Sequence, residues 1–356
     1  MHNVSSTSKA RNGEFLVLDF DGDHLKAVLV ELQDRRVSVI KSERYAIPSN
    51  IQKGESKKLF GVIADHTNDF FTNSHFDNLG KLEVVAVVHD AVSTLMSVAD
   101  KVPNCKIGLI VGNGLNACFV KDLTNVETDC PEDDKPIEMF VNTELGALGE
   151  NGCLNFCRTD FDQLLDEKSN VPKGQLLEKM VGGRYIGELV RLVLEGLTKE
   201  GLLFRSVPSR DALFKRDSFS TELVFNIEND TEDTGEPNRH TAETLNGLGV
   251  TNFSQEDLQT VRHVCKAVCE RAAFLTATSL ATLINRIKQP EVTIVVDGYL
   301  YMRHPRFHDL MYSKTLELVK PELKFYLVSP RYERSIGAAR IVAASLRSRD
   351  PQTVNV

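Results

Sequence analysis

The 356-residue chain has no apolar run that approaches the roughly 18–20 residues needed to cross a bilayer, so no membrane-spanning segment is expected. It also lacks a basic excess. The formal net charge is −8, which argues against nucleic acid or an anionic membrane as the main partner. The first thirteen residues, four of them serine or threonine, contain no apolar core, so no signal peptide is expected and residues 1–13 are read as a disordered tail. Cysteine is sparse. Seven cysteines without a secretory signal indicate reduced thiols in a cytoplasmic protein. Cys153/Cys157 and Cys265/Cys269 have three residues between cysteines rather than two, and no histidine set completes a tetrahedron near the first pair. Cys265 and Cys269 fall one helical turn apart on an apolar face, so core packing rather than zinc binding is expected there. Nothing in the chain names a protein partner.

The 42 % hydrophobic content is enough for a core, and the length suits two domains or one large two-lobed one. Phe15–Phe20, Leu25–Leu32 and Arg36–Tyr45 read as a meander of strands, turning at Asp21-Gly22-Asp23 and Gln33-Asp34-Arg35. Ser56–Phe71 has the spacing of an amphipathic helix. Val84–Val88 and Ile107–Val111 read as buried strands, the first followed by a helix from about Ala91 to Ala99. Glu127–Glu138 is an acidic, proline-containing loop, and Glu228–Leu245 is polar and turn-rich, the segment most expected to be a flexible loop. Gln175–Phe204 is helical with an interruption at Gly182-Gly183. Gln255–Ile287 is a long buried helix, Val292–Val296 a strand, and Ile336–Arg347 an alanine-rich helix. The class is α/β.

Residues 84–117 carry the chemistry. One apolar run ends in His89-Asp90, and a second opens onto Gly112-Asn113-Gly114, a glycine hairpin of the kind that lets backbone N–H groups close around phosphate. From the residues alone, Asp90 suits a general base held at a strand end, and it equally suits the cap of the helix that follows. Glu178 alone reads as a solvated helix face and Glu144 as part of an ordinary turn.

Nine stretches in order resemble the hexokinase family. They are LDFDGDHLK (18–26), YAIP (45–48), VVAVVHD (84–90), GLIVGNGLNA (108–117), NTELGALG (142–149), EKMVGGRYIGELVRL (178–192), KEGLLF (199–204), VDGYLYMRHP (296–305) and GAARIVAA (337–344). The resemblance implies an actin-like ATPase (ribonuclease H-like) fold of two α/β lobes. The small lobe would be 14–92 plus 335–348, in truncated form, and the large lobe 93–334. It implies ATP-dependent phosphorylation of a hexose at its 6-hydroxyl, feeding glycolysis, with ATP and Mg2+ in the cleft. Asp90 takes the general-base position. Asn116, Glu144 and Glu178 take the sugar-binding positions, with His89 where the family has an asparagine. Asp19, Gly22, Lys26, Gly112, Asn113, Gly114, Asp297 and Gly298 fall on the nucleotide side, with Asp19 also the magnesium position.

The same resemblance exposes departures. The first phosphate hairpin, approximately LDLGGTNFR in the family, carries Asp21 and Asp23 in place of glycine and threonine. At ~4–6 Å and a surface-like dielectric, each carboxylate would repel a triphosphate by about 3–4 kcal/mol before screening. The second hairpin has Asn113 and Leu115 in place of two threonines. The glycine-serine turn near the C-terminus is replaced by Tyr332-Glu333-Arg334-Ser335, so contacts on the adenosine side are not expected. About a dozen residues, Thr72–Glu83, stand where the family has a further strand and a sugar-clamping turn. Val84–Val88 must then either pair directly with Phe15–Phe20 or leave the small lobe imperfectly closed. These losses predict impaired turnover. The alternative is a catalytically inactive relative that binds sugar or a partner.

Overall fold

The computed structural model describes residues 13–21, 24–33, 36–48, 51, 56–72, 84–99, 101–123, 138–207, 211–230, 237–330 and 334–348. Strands β1 (Gly13–Asp21), β2 (His24–Gln33) and β3 (Arg36–Ala46) form an antiparallel sheet in that order. Asp21 pairs with His24 and Gln33 with Arg36, so the strands end at the polar stretches expected to separate them. The register slips by one residue between Leu29 and Val30. Gly22 and Asp23, and the side chain of Asp21, on which the charge expected at the first hairpin falls, lie outside the described residues.

The remaining elements follow in order. They are α1 (Ser56–Thr72), α2 (Asp90–Met96), β4 (Cys105–Val111), β5 (Leu115–Asp122), β6 (Glu138–Asn142), α3 (Asp160–Glu167), α4 (Leu176–Val181), α5 (Gly183–Lys199), α6 (Asp211–Phe214), α7 (Thr221–Glu228), α8 (Arg239–Gly247), α9 (Gln255–Ile287), β7 (Glu291–Asp297), α10 (Tyr299–Arg303), α11 (Phe307–Leu318), β8 (Lys324–Val328) and α12 (Arg334–Ser348). A second sheet has the order β6-β5-β4-β7-β8, with β4, β7 and β8 parallel and β5 and β6 antiparallel to their neighbours.

Burial explains the apolar runs. In β2, Ala27 and Leu29 pack under Phe70 and Phe71 of α1, while Val28 and Val30 meet Ala339 of α12 on the opposite face. Covered on both sides, the strand has no polar face to alternate. β4 behaves likewise: Ile107, Leu109 and Val111 join the main core, and Ile110 turns to Ala91 and Leu95 of α2. Gly182 is extended (φ −61°, ψ 138°), ending α4 and starting α5, which is the interruption the glycine pair marked.

Two expectations fail. Val84–Val88 is not a strand. Residues 84–89 lie outside both sheets, with Val84 84 % and Val87 95 % exposed. An apolar, β-branched run becomes a strand only where its N–H and C=O groups find a ladder partner. Among the described residues none lies beside it, so of the two outcomes set by the shortened Thr72–Glu83 connection, direct pairing with β1 is not the one adopted. Nor is Glu228–Leu245 a loop throughout. It contains helix α8, which is anchored by Asp230: the buried carboxylate accepts from the backbone N–H of His240 (2.9 Å) and Thr241 (2.9 Å) and from the Thr241 hydroxyl (2.6 Å). Of the expected 127–138 loop, Glu138 opens β6 and the rest lies outside the described residues.

Among the described residues, α9 is long and apolar enough by length and composition to cross a bilayer, although polar residues interrupt its apolar positions. Its Val261, Cys265, Cys269, Ala277, Leu280 and Ile284 are buried in the main core, and it packs as a core helix. The six cysteines among the described residues are free thiols, and burial pushes those of Cys265 and Cys269 well above the ordinary thiol range, as core packing requires.

Burial disfavours the Asp230 charge, but hydrogen bonds from Thr241 and His240 outweigh it and hold the carboxyl below the usual carboxylate range. Its contribution is therefore complete above the unfolded-state value of about 3.9 and is lost as pH falls through the lower folded value. Asp230→Ala is expected to cost about 2 kcal/mol at pH 7, with a smaller cost at pH 3, as measured by urea unfolding. An equal cost at both values would contradict the capping role.

Candidate active site

A cleft of about 1010 Å³ is lined by residues from both sheets. Ten of the sequence-selected residues meet there: His89, Asp90, Gly112, Asn113, Gly114, Asn116, Glu144, Glu178, Asp297 and Gly298. Asp19 reaches the same region through an ion pair described below. Lys26 is half-buried and faces Asp19 across the β1–β2 ladder rather than lining the cleft. Gly22 lies outside the described residues.

The glycine hairpin is shaped by its contacts. Gly112 donates to the carbonyl of Gly114 (3.0 Å), closing the turn. The carbonyls of Gly112 and Asn113 in turn accept from Gly183 (2.8 Å) and Arg184 (3.1 Å), seating the hairpin on the first turn of α5. At Gly114, a Cβ would fall 2.5 Å from Glu178 Oε2, so only glycine lets that carboxylate reach the hairpin. Glu178 uses the space to accept from Leu115 N–H (3.0 Å). Its burial pushes its carboxyl above the usual carboxylate range, against the opposing pull of that hydrogen bond and of Arg184.

Asp90 is the first residue of α2, not its N-cap; His89 holds that place in extended conformation, without a side-chain cap. Asp90 Oδ1 accepts from Ala91 N–H (2.7 Å) and lies 2.9 Å from His89 Nδ1. His89 Nε2 is 3.5 Å from Glu144 Oε1, so the imidazole bridges the Asp90 and Glu144 carboxylates. Asn116 Oδ1 accepts from Leu145 N–H (3.1 Å), and its Nδ2 donates to Asn142 Oδ1 (2.9 Å). Asn142 then donates to Glu144. Glu144 and Gln175, both cleft-lining, adopt left-handed backbone (φ 49° and 54°), a conformation that costs a non-glycine residue about 1–3 kcal/mol and concentrates at functional sites.

Sequence reasoning missed several members of this site, two of which tie its polar side chains together. Asn142, the first residue of NTELGALG, ties Asn116 to Glu144. Arg334 was read as part of a lost turn. Its guanidinium instead lies 3.4 Å from Asp19, 3.5 Å from Asp297 and 3.8 Å from Asp90.

Away from the cleft, Glu228, Cys269 and His304 place potential metal-ligand atoms within 4.8 Å of one another, all buried. His304 Nδ1 accepts from Arg306 N–H (3.1 Å), which puts the ring proton on Nε2, 3.3 Å from Glu228. That nitrogen faces Glu228 Oε1 as a charge contact without a hydrogen bond, and Arg306 Nε lies 3.4 Å from Glu228 Oε2, so the trio is a buried polar cluster beside a guanidinium.

At Gly298 (φ +123°), an added Cβ would lie 2.4 Å from the Val111 carbonyl carbon and 2.6 Å from Gly112 N. These are backbone atoms that cannot rotate away, so Gly298→Ala is expected to destabilise the fold by about 3 kcal/mol and to displace the hairpin. A loss below about 0.5 kcal/mol by chemical denaturation would contradict this close approach.

Residues 106–344 match a family model described as hexokinase, and residues 4–81 match a second one with the same description. Hexokinase-1 of Rattus norvegicus is 33 % identical over 401 aligned positions, covering 96 % of this chain and 43 % of the relative. Hexokinase-2 of Homo sapiens is 32 % identical, covering 97 % and 43 %. The chain thus spans less than half the length of the curated relatives it matches. The rat alignment is longer than the chain, so that relative carries positions absent here. The solved hexokinase of Schistosoma mansoni complexed with glucose superposes with a TM-score of 0.86 at 30 % identity, covering 96 % of this chain and 87 % of that one. Another hexokinase crystal structure, at 23 % identity and a TM-score of 0.70, shares the fold. The two-sheet architecture is the actin-like ATPase fold, and the chain belongs to the hexokinase family.

Proposed function

We propose that this chain phosphorylates a hexose of the glucose type at its 6-hydroxyl, with ATP as donor, in the cytosol, and at a rate well below that of an intact family member. The observation that carries the reading is the convergence of Asp90, Asn116, Glu144 and Glu178 on one cleft beside the glycine hairpin. The glucose named for the Schistosoma structure supports the sugar class.

In this reading, Asn116, Glu144 and Glu178 hold the sugar hydroxyls, with Asn116 and Glu144 oriented through Asn142. Asp90 accepts the proton of the 6-hydroxyl as that oxygen attacks the γ-phosphorus. The Ala91 N–H fixes one carboxylate oxygen, and His89 beside it limits how the carboxylate can turn. Gly112–Gly114 presents the second phosphate hairpin, although its carbonyls are engaged with α5. ATP supplies the phosphoryl group. For Mg2+ the donor chemistry is suitable, since Asp19 and Asp297 are oxygen ligands of the type it takes. The position does not fit the ion as folded, because Arg334 Nε lies 3.4 Å and 3.5 Å from those carboxylates.

That guanidinium and the Val84–Val88 segment, which pairs with no strand among the described residues, favour a second reading, a sugar-binding protein without turnover. The two separate in one assay. With glucose, ATP and magnesium, glucose-6-phosphate formation is expected to be measurable and to fall at least ~100-fold in Asp90→Ala. Calorimetric glucose binding by a cooperatively folded wild type that forms no product would overturn the enzyme reading in favour of the second.

A further inference from the structure

The cleft contains a residue that breaks a local rule. Arg334 is the first residue of α12, where the partial positive charge of the helix N-terminus makes a cation unfavourable. It is not placed there loosely. Gly337, one turn on, lies so close to α2 that an added Cβ would be 1.8 Å from the Ser93 carbonyl oxygen. Arg340 donates to the carbonyls of Met96 (3.1 Å) and Ser97 (2.9 Å). These contacts fix the start of α12 over the cleft. A cation held at an unfavourable helix position needs an offset, and Asp19 from β1, Asp297 from the end of β7 and Asp90 from the start of α2 supply it. The Arg334 side chain is 16 % exposed and that of Asp19 15 %, so the pairing is shielded from bulk solvent.

We propose that Arg334 is the resident counter-cation of this cleft and competes with a divalent cation for Asp19 and Asp297, so that a metal nucleotide is bound only by displacing the guanidinium. Two of these carboxylates are the oxygen donors a hard cation would require, and a guanidinium and a divalent ion cannot share them at these distances. Arg334 thereby also acts as a positioning residue for Asp90, holding the base position in register with the ends of β1 and β7. The inference rests on the reading of the cleft as a metal–nucleotide site, but its test requires neither sugar nor turnover.

The probe is Mn2+ alone, titrated by electron paramagnetic resonance against the full chain, with thermal melting as the check on folding. Wild type is expected to bind weakly. Arg334→Ala is expected to bind at least tenfold more tightly, and Arg334→Lys, which keeps the charge, to stay near wild type. Adding Asp19→Asn to Arg334→Ala is expected to remove the gain. If Arg334→Ala does not melt cooperatively, Arg334→Gln, which keeps most of the side-chain volume, is read in its place. Equal Mn2+ affinity in wild type and the neutral variants, or a gain that survives Asp19→Asn, would overturn the proposal. Absence of phosphotransfer in all variants would count against the enzyme reading and leave this result standing.

Discussion

One guanidinium gathers three carboxylates from three separate elements, and the geometry of the cleft depends on it. Asp19 comes from the three-stranded sheet, Asp297 from the end of a strand in the five-stranded sheet, and Asp90 from the helix packed against that second sheet. Without a cation among them, three acids at the inner ends of these elements would repel one another in a partly shielded site. The helix that carries Arg334 also covers one face of β2 through Ala339, so the charge cluster and the apolar contact bring the two sheets together through the same element.

The two sides of the cleft are kept differently. On the side proposed to hold sugar, Asn116, Asn142 and Glu144 form a chain of hydrogen bonds, and the glycine at position 114 leaves room for Glu178, which accepts from Leu115 N–H. On the side proposed to hold phosphate, the Gly112–Gly114 hairpin is docked onto α5, and an internal cation stands where the family resemblance implies a metal. Binding of a neutral sugar requires acceptors and donors in fixed places, whereas phosphoryl transfer requires charge neutralisation as well. In the proposed reading, the first set is kept and the second altered, so catalysis is affected more than recognition.

Much of this was legible in the sequence because it depended on local patterns. The meander, the glycine break before α5, the buried α9 and the cysteine pair within it all follow from periodicity and from glycine. The cleft residues were legible through motif order, since Asp90, Asn116, Glu144 and Glu178 sit in stretches whose spacing is preserved. Three features were not legible, each because a distant partner decides it. Val84–Val88 has the composition of a strand but, among the described residues, no neighbour to pair with. α8 lies in a polar, turn-rich stretch and forms because Asp230 caps it. Arg334 is a surface-type residue in a divergent turn until the fold places three acids around it.

The central claim is that Arg334 and Asp19 are energetically coupled across the cleft. A double-mutant cycle of Asp19→Asn and Arg334→Gln, with stability measured by urea unfolding, tests it directly. The account requires the two changes to be non-additive, with a coupling of about 1 kcal/mol or more for a partly buried ion pair. Strictly additive effects, with a coupling indistinguishable from zero, would show that the guanidinium is near these carboxylates without holding them, and would contradict the account.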